Sequence, residues 1–225
     1  ERIPTENKLL FEPIESPYAK RIKGIATMYE RVSKAVNDAV RNNFFPVVLS
    51  GDHSIAGATL AGLKMSKPKS RIGVIWIDAH ADLRIAYEGF TYSHASIMYN
   101  VLQQVPQVKK LVQVGIRDYC DEELDMIENS NGRIHTFFDR DIKNRQYEGA
   151  TWKDICKEIA DTLPQKIYIS FDIDGLDPKL CPNTGTPVPG GFEAEQIFYL
   201  FRMILASGKQ IIGFDLNEVS NGDNT

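Results

Sequence analysis

Residues 72–78 read Ile-Gly-Val-Ile-Trp-Ile-Asp, a run of mostly β-branched and aromatic side chains that stops on an acid. A stretch that is apolar at every second position and also in between suits a strand covered on both faces, as in a parallel sheet flanked by helices. The run passes directly into Asp78-Ala79-His80-Ala81-Asp82. In extended backbone, side chains two apart share a face, so Asp78, His80 and Asp82 converge. Two carboxylates and an imidazole at the end of a buried strand are costly unless something cationic satisfies them, and a divalent metal is the natural partner. From this triplet alone, a polar strand-to-loop turn with a satisfied histidine reads equally well. The rest of the chain has to decide between them.

Further strands and helices alternate around this one. Residues 18–42 carry Ile22, Ile25, Met28, Val32, Val36 and Val40 at helical spacing and predict a helix with one face on a sheet. Residues 46–50 read as a short strand, followed by Gly51-Asp52-His53-Ser54 and a small-residue helix over 55–63, with Ser54 as its expected N-cap. After a loop at 89–92, a helix is expected from Ser93-His94 to about Val105. Strands are predicted at 110–115 and 133–138, and helices at 121–129 and 152–163. A buried strand at 166–171 ends in Asp172-Ile173-Asp174. Past a Pro- and Gly-rich loop at 182–191 come a helix over 193–206 and a last strand over 210–214 leading to 215–219. Residues 1–17 hold three prolines without a period and read as a loop or an incomplete edge element. With no internal repeat, this pattern predicts one three-layer α/β/α domain with a mainly parallel sheet.

Composition narrows the function classes. At 225 residues, with 43% hydrophobic and 25% charged side chains, the chain has the makings of an ordinary globular core. A net charge of −4 without any Lys/Arg block argues against nucleic-acid binding and fits a cationic small substrate. The three cysteines, Cys120, Cys156 and Cys181, show no C-x-x-C pairing. They point to a reducing, cytoplasmic setting, with neither a disulfide framework nor a thiolate metal site. No stretch reaches the apolar length of a membrane span, and the chain does not begin with Met, so native N-terminal sequence is expected beyond it.

Three strand ends therefore carry acids or imidazoles: His53; Asp78, His80 and Asp82; Asp172 and Asp174. In a parallel sheet all carboxyl ends point one way, so these groups are expected around a single crevice at the ends of three neighbouring strands. Agreement between three separate strand ends outweighs the turn reading of any one. Four carboxylates and two imidazoles suit hard or borderline ions, and their number suits a pair. Mn²⁺ is favoured, with Mg²⁺, Co²⁺, Fe²⁺ or Zn²⁺ as alternatives.

At these residues the sequence resembles the ureohydrolase superfamily of arginases, agmatinases, guanidinobutyrases and formiminoglutamases. The motifs are Ser-Gly-Asp-His-Ser at 50–54, Asp-Ala-His-Ala-Asp at 78–82, Ser-Phe-Asp-Ile-Asp-Gly-Leu-Asp-Pro at 170–178 and Thr-Gly-Thr-Pro-Val at 184–188, with Gly190-Gly191. The resemblance implies one Mn²⁺ on His53, Asp78, Asp82 and Asp172 and another on Asp78, His80, Asp172 and Asp174. His94 resembles the family's proton-shuttling histidine, and Glu218 the acid that pairs with a guanidinium. By the same resemblance, hydroxide between the metals attacks the guanidinium carbon, Asp82 orients it, and urea and an amine result.

Other details bear on the substrate. Ser93-His94-Ala95-Ser96 resembles plant-type arginases, whereas Asp82-Leu83-Arg84 resembles formiminoglutamases, whose substrate carboxylates an arginine can pair with. Arg84 reads equally well as a solvated loop charge. Asp118 stands where the family contacts the distal end of the substrate, and helix capping is its other reading. The resemblance thus implies an agmatine- or arginine-type amidinohydrolase acting on a small guanidino molecule. Formiminoglutamase is the enzymatic alternative, and a catalytically silent metal-binding scaffold the alternative from another class. Family members usually form trimers or hexamers and continue beyond both ends of this sequence, so residues 1–225 are expected to be a single domain incomplete at both ends.

Overall fold

The structure is a computed structural model and describes residues 22–220. The expectations for residues 1–17, and the first turn of the helix predicted from Tyr18, lie outside the described residues. The elements run α1 (Ile22–Arg41), β1 (Val47–Leu49), α2 (Ile55–Ser66), β2 (Ile72–Ile77), α3 (Ile97–Gln104) and β3 (Val108–Ile116). They continue with α4 (Asp121–Glu128), β4 (Ile134–Phe138), α5 (Asp139–Tyr147), α6 (Trp152–Thr162), β5 (Lys166–Asp172), α7 (Ala194–Ala206) and β6 (Gln210–Asn217). The six strands pair in parallel in the order β1-β6-β5-β2-β3-β4.

β2 shows how the sequence makes three layers. All six of its residues are buried. Val74 and Trp76 pack into one apolar cluster with side chains of α1, α2 and α3, while Ile75 and Ile77 pack into a second cluster with α5, α6 and α7. The pleat deals alternate residues to two cores, so a strand without apolar–polar alternation is what two helical layers require. On the first face, α2 lies close against α1. A Cβ on Gly62 would stand 2.5 Å from Ser33 O and 2.8 Å from Val36 Cβ, so only a glycine admits this approach. Tyr29 and Ser33 hydroxyls donate across the same contact to the carbonyls of Gly57 and Ala58.

The topology places the crevice. β2 leads to β3 on one side, and β5, its other neighbour, leads to β6 in the opposite direction. Connections that leave adjacent strands in opposite directions open a cleft at the carboxyl ends, where open α/β sheets bind ligands. Asp78 follows β2 directly and Asp172 ends β5, so both acids stand at this switch point.

Several expectations need correction. The three ligand-bearing strands are not contiguous: β6 lies between β1 and β5, so His53 reaches the crevice from the far side of another strand. Ser54 makes no side-chain cap; Asp52 takes that part, its Oδ1 accepting from the Ser54 amide at 2.8 Å. The helix after Ser93 begins as a 3₁₀ turn over His94–Ser96, and the last strand runs on to Asn217. Helix α5 is new. Its sequence Asp-Arg-Asp-Ile-Lys-Asn-Arg-Gln-Tyr buries only Asp139 and Ile142, too little for an apolar period to register.

Candidate metal centre

The site is assembled from turns that bind their own acids. Asp78 Oδ1 accepts the His80 amide at 2.6 Å, Asp172 Oδ1 accepts the Asp174 amide at 2.9 Å, and Asp174 Oδ1 accepts the Ala79 amide at 3.0 Å. Each carboxylate is thus aimed by one oxygen, which leaves the other to face inward. Asp78 Oδ2 and Asp172 Oδ2 both stand 3.0 Å from His53 Nδ1, and Asp174 Oδ2 stands 3.0 Å from His80 Nδ1.

Two groups of candidate ligands result. One is His53, Asp78 and Asp172; the other is Asp78, His80 and Asp174; the ligand atoms within each lie within 4.8 Å of one another. Asp78 belongs to both. His53 Nδ1, Asp78 Oδ2 and Asp174 Oδ2 are buried and lack a hydrogen-bond partner. Buried polar atoms are costly when unsatisfied; here His53 Nδ1 faces Asp78 Oδ2, and Asp174 Oδ2 faces His80 Nδ1. A pair of divalent cations resolves all of them together, and this oxygen–nitrogen set fits such ions. Asp82 stands outside both tight groups, buried beside them with φ of +53°. A left-handed backbone at a residue other than glycine is strained, and such strain concentrates at functional positions.

The electrostatics carry the same message. Burial raises the pKa of Asp82, Asp172 and Asp174, and the neighbouring Asp78 charge raises each further. Asp78 itself is held below the usual range: burial acts to raise it, but the imidazoles of His53 and His80 beside its carboxylate prevail. Burial disfavours charge on His80, but Asp174 and Asp78 outweigh it and lift its pKa to about 11. His53 is likewise raised against its burial, by Asp172 and Asp78. So many mutually repelling acids need positive charge among them.

A cleft of about 220 Å³ opens on this cluster, lined among others by Asp82, His94, Asp172 and Glu218. His94 opens the 3₁₀ turn capped by Ser93, whose hydroxyl accepts the Ala95 amide at 3.2 Å. Glu218, at the end of β6, also has a left-handed backbone with φ of +62°, and its Oε1 accepts the His53 amide at 3.4 Å. Arg84 lines the cleft with its Nε 3.6 Å from Glu123 Oε2 and its guanidinium over the Tyr87 ring, so it is not a free loop charge. Asp118 lines it too, exposed, 3.7 Å from His80 Nε2. It caps no helix; Cys120 is the N-cap of α4.

Supporting residues escaped the sequence reading. Buried Glu123 on α4 accepts the Leu83 amide at 2.9 Å and the Cys120 amide at 3.0 Å, which pins the loop after Asp82. Gln113, inside β3, donates to Ala81 O at 2.7 Å. Arg117 donates to the carbonyls of Gly115, Asp174, Leu176 and Val188, tying the Asp174 turn to the loop that walls the cleft. Gly191, with φ of +86°, lets that loop pass where a Cβ would meet Leu176 O at 2.6 Å. The available signal was polar residues inside apolar strands, such as Gln113, Ser170 and Asp215, since a buried polar group needs a partner.

A parallel sheet between two helical layers, with acids and imidazoles gathered at its switch point, defines an α/β protein with a candidate metal centre. The chain belongs to the arginase family, which it matches over residues 13–222. It is 31% identical over 194 residues to the N(1)-aminopropylagmatine ureohydrolase of Synechocystis sp., an alignment covering 86% of this chain and 59% of that protein. It is 32% identical over 216 residues to the arginase of Bacillus caldovelox, covering 89% of this chain and 70% of that one. The native structure of the B. caldovelox arginase superposes with a TM-score of 0.78 at 28% identity, covering 93% of this chain and 73% of that chain. The chain therefore spans about three fifths of the length of its Synechocystis relative. Among the described residues no helix is long and apolar enough to cross a membrane.

Proposed function

We propose that this chain hydrolyses a small guanidino compound of the agmatine or arginine kind to urea and an amine, at a pair of divalent cations with manganese the first choice. The observation that carries the reading is the pair of carboxylate–imidazole groups sharing Asp78, with their inward atoms unsatisfied. His53, Asp78, Asp82 and Asp172 would hold one ion, and Asp78, His80, Asp172 and Asp174 the other. Bound there, the cations would supply Lewis acidity and bring the pKa of a water toward neutrality.

The chain's own groups do the rest. Glu218 pairs with the guanidinium and orients its carbon toward the acids. Burial raises the Glu218 pKa, and a cationic substrate favours its charged form. Asp82 accepts a hydrogen bond from the attacking water and fixes its direction. As the C–N bond breaks, His94 delivers a proton to the departing amine. The names of the relatives support ureohydrolysis. Cytoplasmic placement rests on the three free cysteines, and a trimeric or hexameric assembly on family resemblance alone.

A second reading has one observation in its favour. Arg84 lines the cleft, its Nε 3.6 Å from Glu123 Oε2 and its guanidinium over the Tyr87 ring, and so stands where a substrate carboxylate, as formiminoglutamate would offer, can reach it. The deciding experiment is a screen of arginine, agmatine, guanidinobutyrate, guanidinopropionate and formiminoglutamate with added Mn²⁺, measuring urea and formamide separately and counting bound metal. Urea from a guanidino substrate upholds the first reading; formamide alone installs the second. In Asp174→Asn, bound metal is expected to fall and turnover to reach background. Full turnover with both ions retained removes the ligand assignment.

A further inference from the structure

Asp215 lies in β6 with no exposed surface. Three donors reach its carboxylate, each at 2.6 Å: the Tyr168 phenol to Oδ2, and the Ser170 hydroxyl and Asn217 Nδ2 to Oδ1. A hydroxyl has one proton, and a carboxylate only accepts. The Ser170 proton is therefore committed to Asp215, and Ser170 Oγ meets His53 Nε2, 2.9 Å away, as an acceptor. An imidazole that donates from Nε2 keeps Nδ1 bare when it is neutral. Nδ1 is the atom that faces the Asp78 and Asp172 oxygens at 3.0 Å each. Stacking on Trp76, with ring centroids 3.8 Å apart and planes within 2°, fixes the plane of the His53 ring. With the plane fixed, the position of the proton is the remaining freedom.

We propose that Asp215 is a positioning residue: through the Ser170 hydroxyl it holds His53 as the Nε2–H tautomer and so presents the Nδ1 lone pair to the first cation. The inference rests on the reading of His53 as a metal ligand. It also explains why a strand packed in apolar surroundings carries an acid whose hydrogen-bond partners are a phenol, a hydroxyl and a carboxamide, with no cation among them.

The informative variant is Asp215→Asn, which keeps the shape and reverses one donor. Its amide N–H can donate to Ser170, whose own proton then turns toward His53 Nε2 and opposes the Nε2–H form. Asn217 Oδ1, buried and without a partner, can accept the second N–H if that amide turns, so the fold survives. Mn²⁺ titration of the full chain by calorimetry, with free Mn²⁺ followed by electron paramagnetic resonance, is the readout. Asp215→Asn is expected to weaken one of the two ions by about 10–100-fold and to leave the other unchanged, because the His80–Asp174 group does not touch the relay. Combining Asp215→Asn with Ser170→Ala should weaken that ion no more than the worse single change, since the two act in series. Ile159→Val, in the opposite core, controls for general loosening and should leave both affinities as they are. Parent affinity for both ions in Asp215→Asn, equal weakening of both, or additive losses in the double variant would each overturn the inference. If the parent chain itself binds no Mn²⁺, the ligand reading falls, and this inference falls with it.

Discussion

Removing the Glu123 carboxylate tests whether the loop after Asp82 is held as described. Glu123 is 2% exposed and accepts two backbone amides, those of Leu83 and Cys120. In Glu123→Ala both lose their acceptor. The Leu83 amide is deeply buried, and an unsatisfied buried donor costs about 1–3 kcal/mol. Cys120 is only half-buried, so water can replace part of its amide's bond; that bond is Glu123's half of the α4 capping box, and its loss costs about 1 kcal/mol. The sum is about 2–4 kcal/mol. For a domain of this size each kcal/mol moves Tm by roughly 2–4 °C, so Tm should fall by about 5–15 °C. Thermal unfolding followed by circular dichroism measures the shift directly. Glu123→Gln, which keeps one acceptor, should fall in between. A loss below about 0.5 kcal/mol in Glu123→Ala, the level of an ordinary surface change, would refute the bracing argument.

Further expectations follow from the site and the core. Because the His53 and His80 pKa values are raised and a cation needs both rings neutral, Mn²⁺ binding should release protons. Affinity should accordingly rise with pH, by about tenfold per unit for each proton released, and calorimetry in buffers of different ionisation enthalpy checks both sign and size. His94→Asn should lower kcat by about 10²–10⁴-fold with metal content unchanged, which atomic absorption beside a urea assay establishes; an unchanged kcat removes His94 from proton transfer. Gly62→Ala should destabilise by about 1–3 kcal/mol in chemical denaturation, because its methyl group meets the α1 backbone.

How much of this was legible in the sequence depended on whether a residue acts locally. β2, β5 and the acids at their ends announced themselves, because an apolar run closed by Asp-x-His-x-Asp or Asp-x-Asp states both strand and site in a few residues. What the chain order concealed was adjacency. Nothing in 47–54 says that β6, written some 160 residues later, lies between β1 and the rest of the site. The same blindness hid Glu123, whose partner Leu83 lies 40 positions away in the chain and meets it only in three dimensions, and Asp215, which reaches His53 only through a serine on another strand. Ser54 reads as a cap by composition, yet the Asx turn of Asp52 takes the amide first. Helix α5 went unread because a helix that buries one isoleucine is held by its neighbours rather than by its own pattern.

The outermost strand has a consequence for how the protein opens. Among the described residues β1 joins the sheet through a three-residue pairing with β6, and it directly precedes the turn that carries His53. A bound ion would rivet that flank to the centre of the molecule. Amide exchange along residues 47–53 should therefore slow far more on loading than exchange in β3, and the flank should be the first part to peel away when a chelator takes the rivet out.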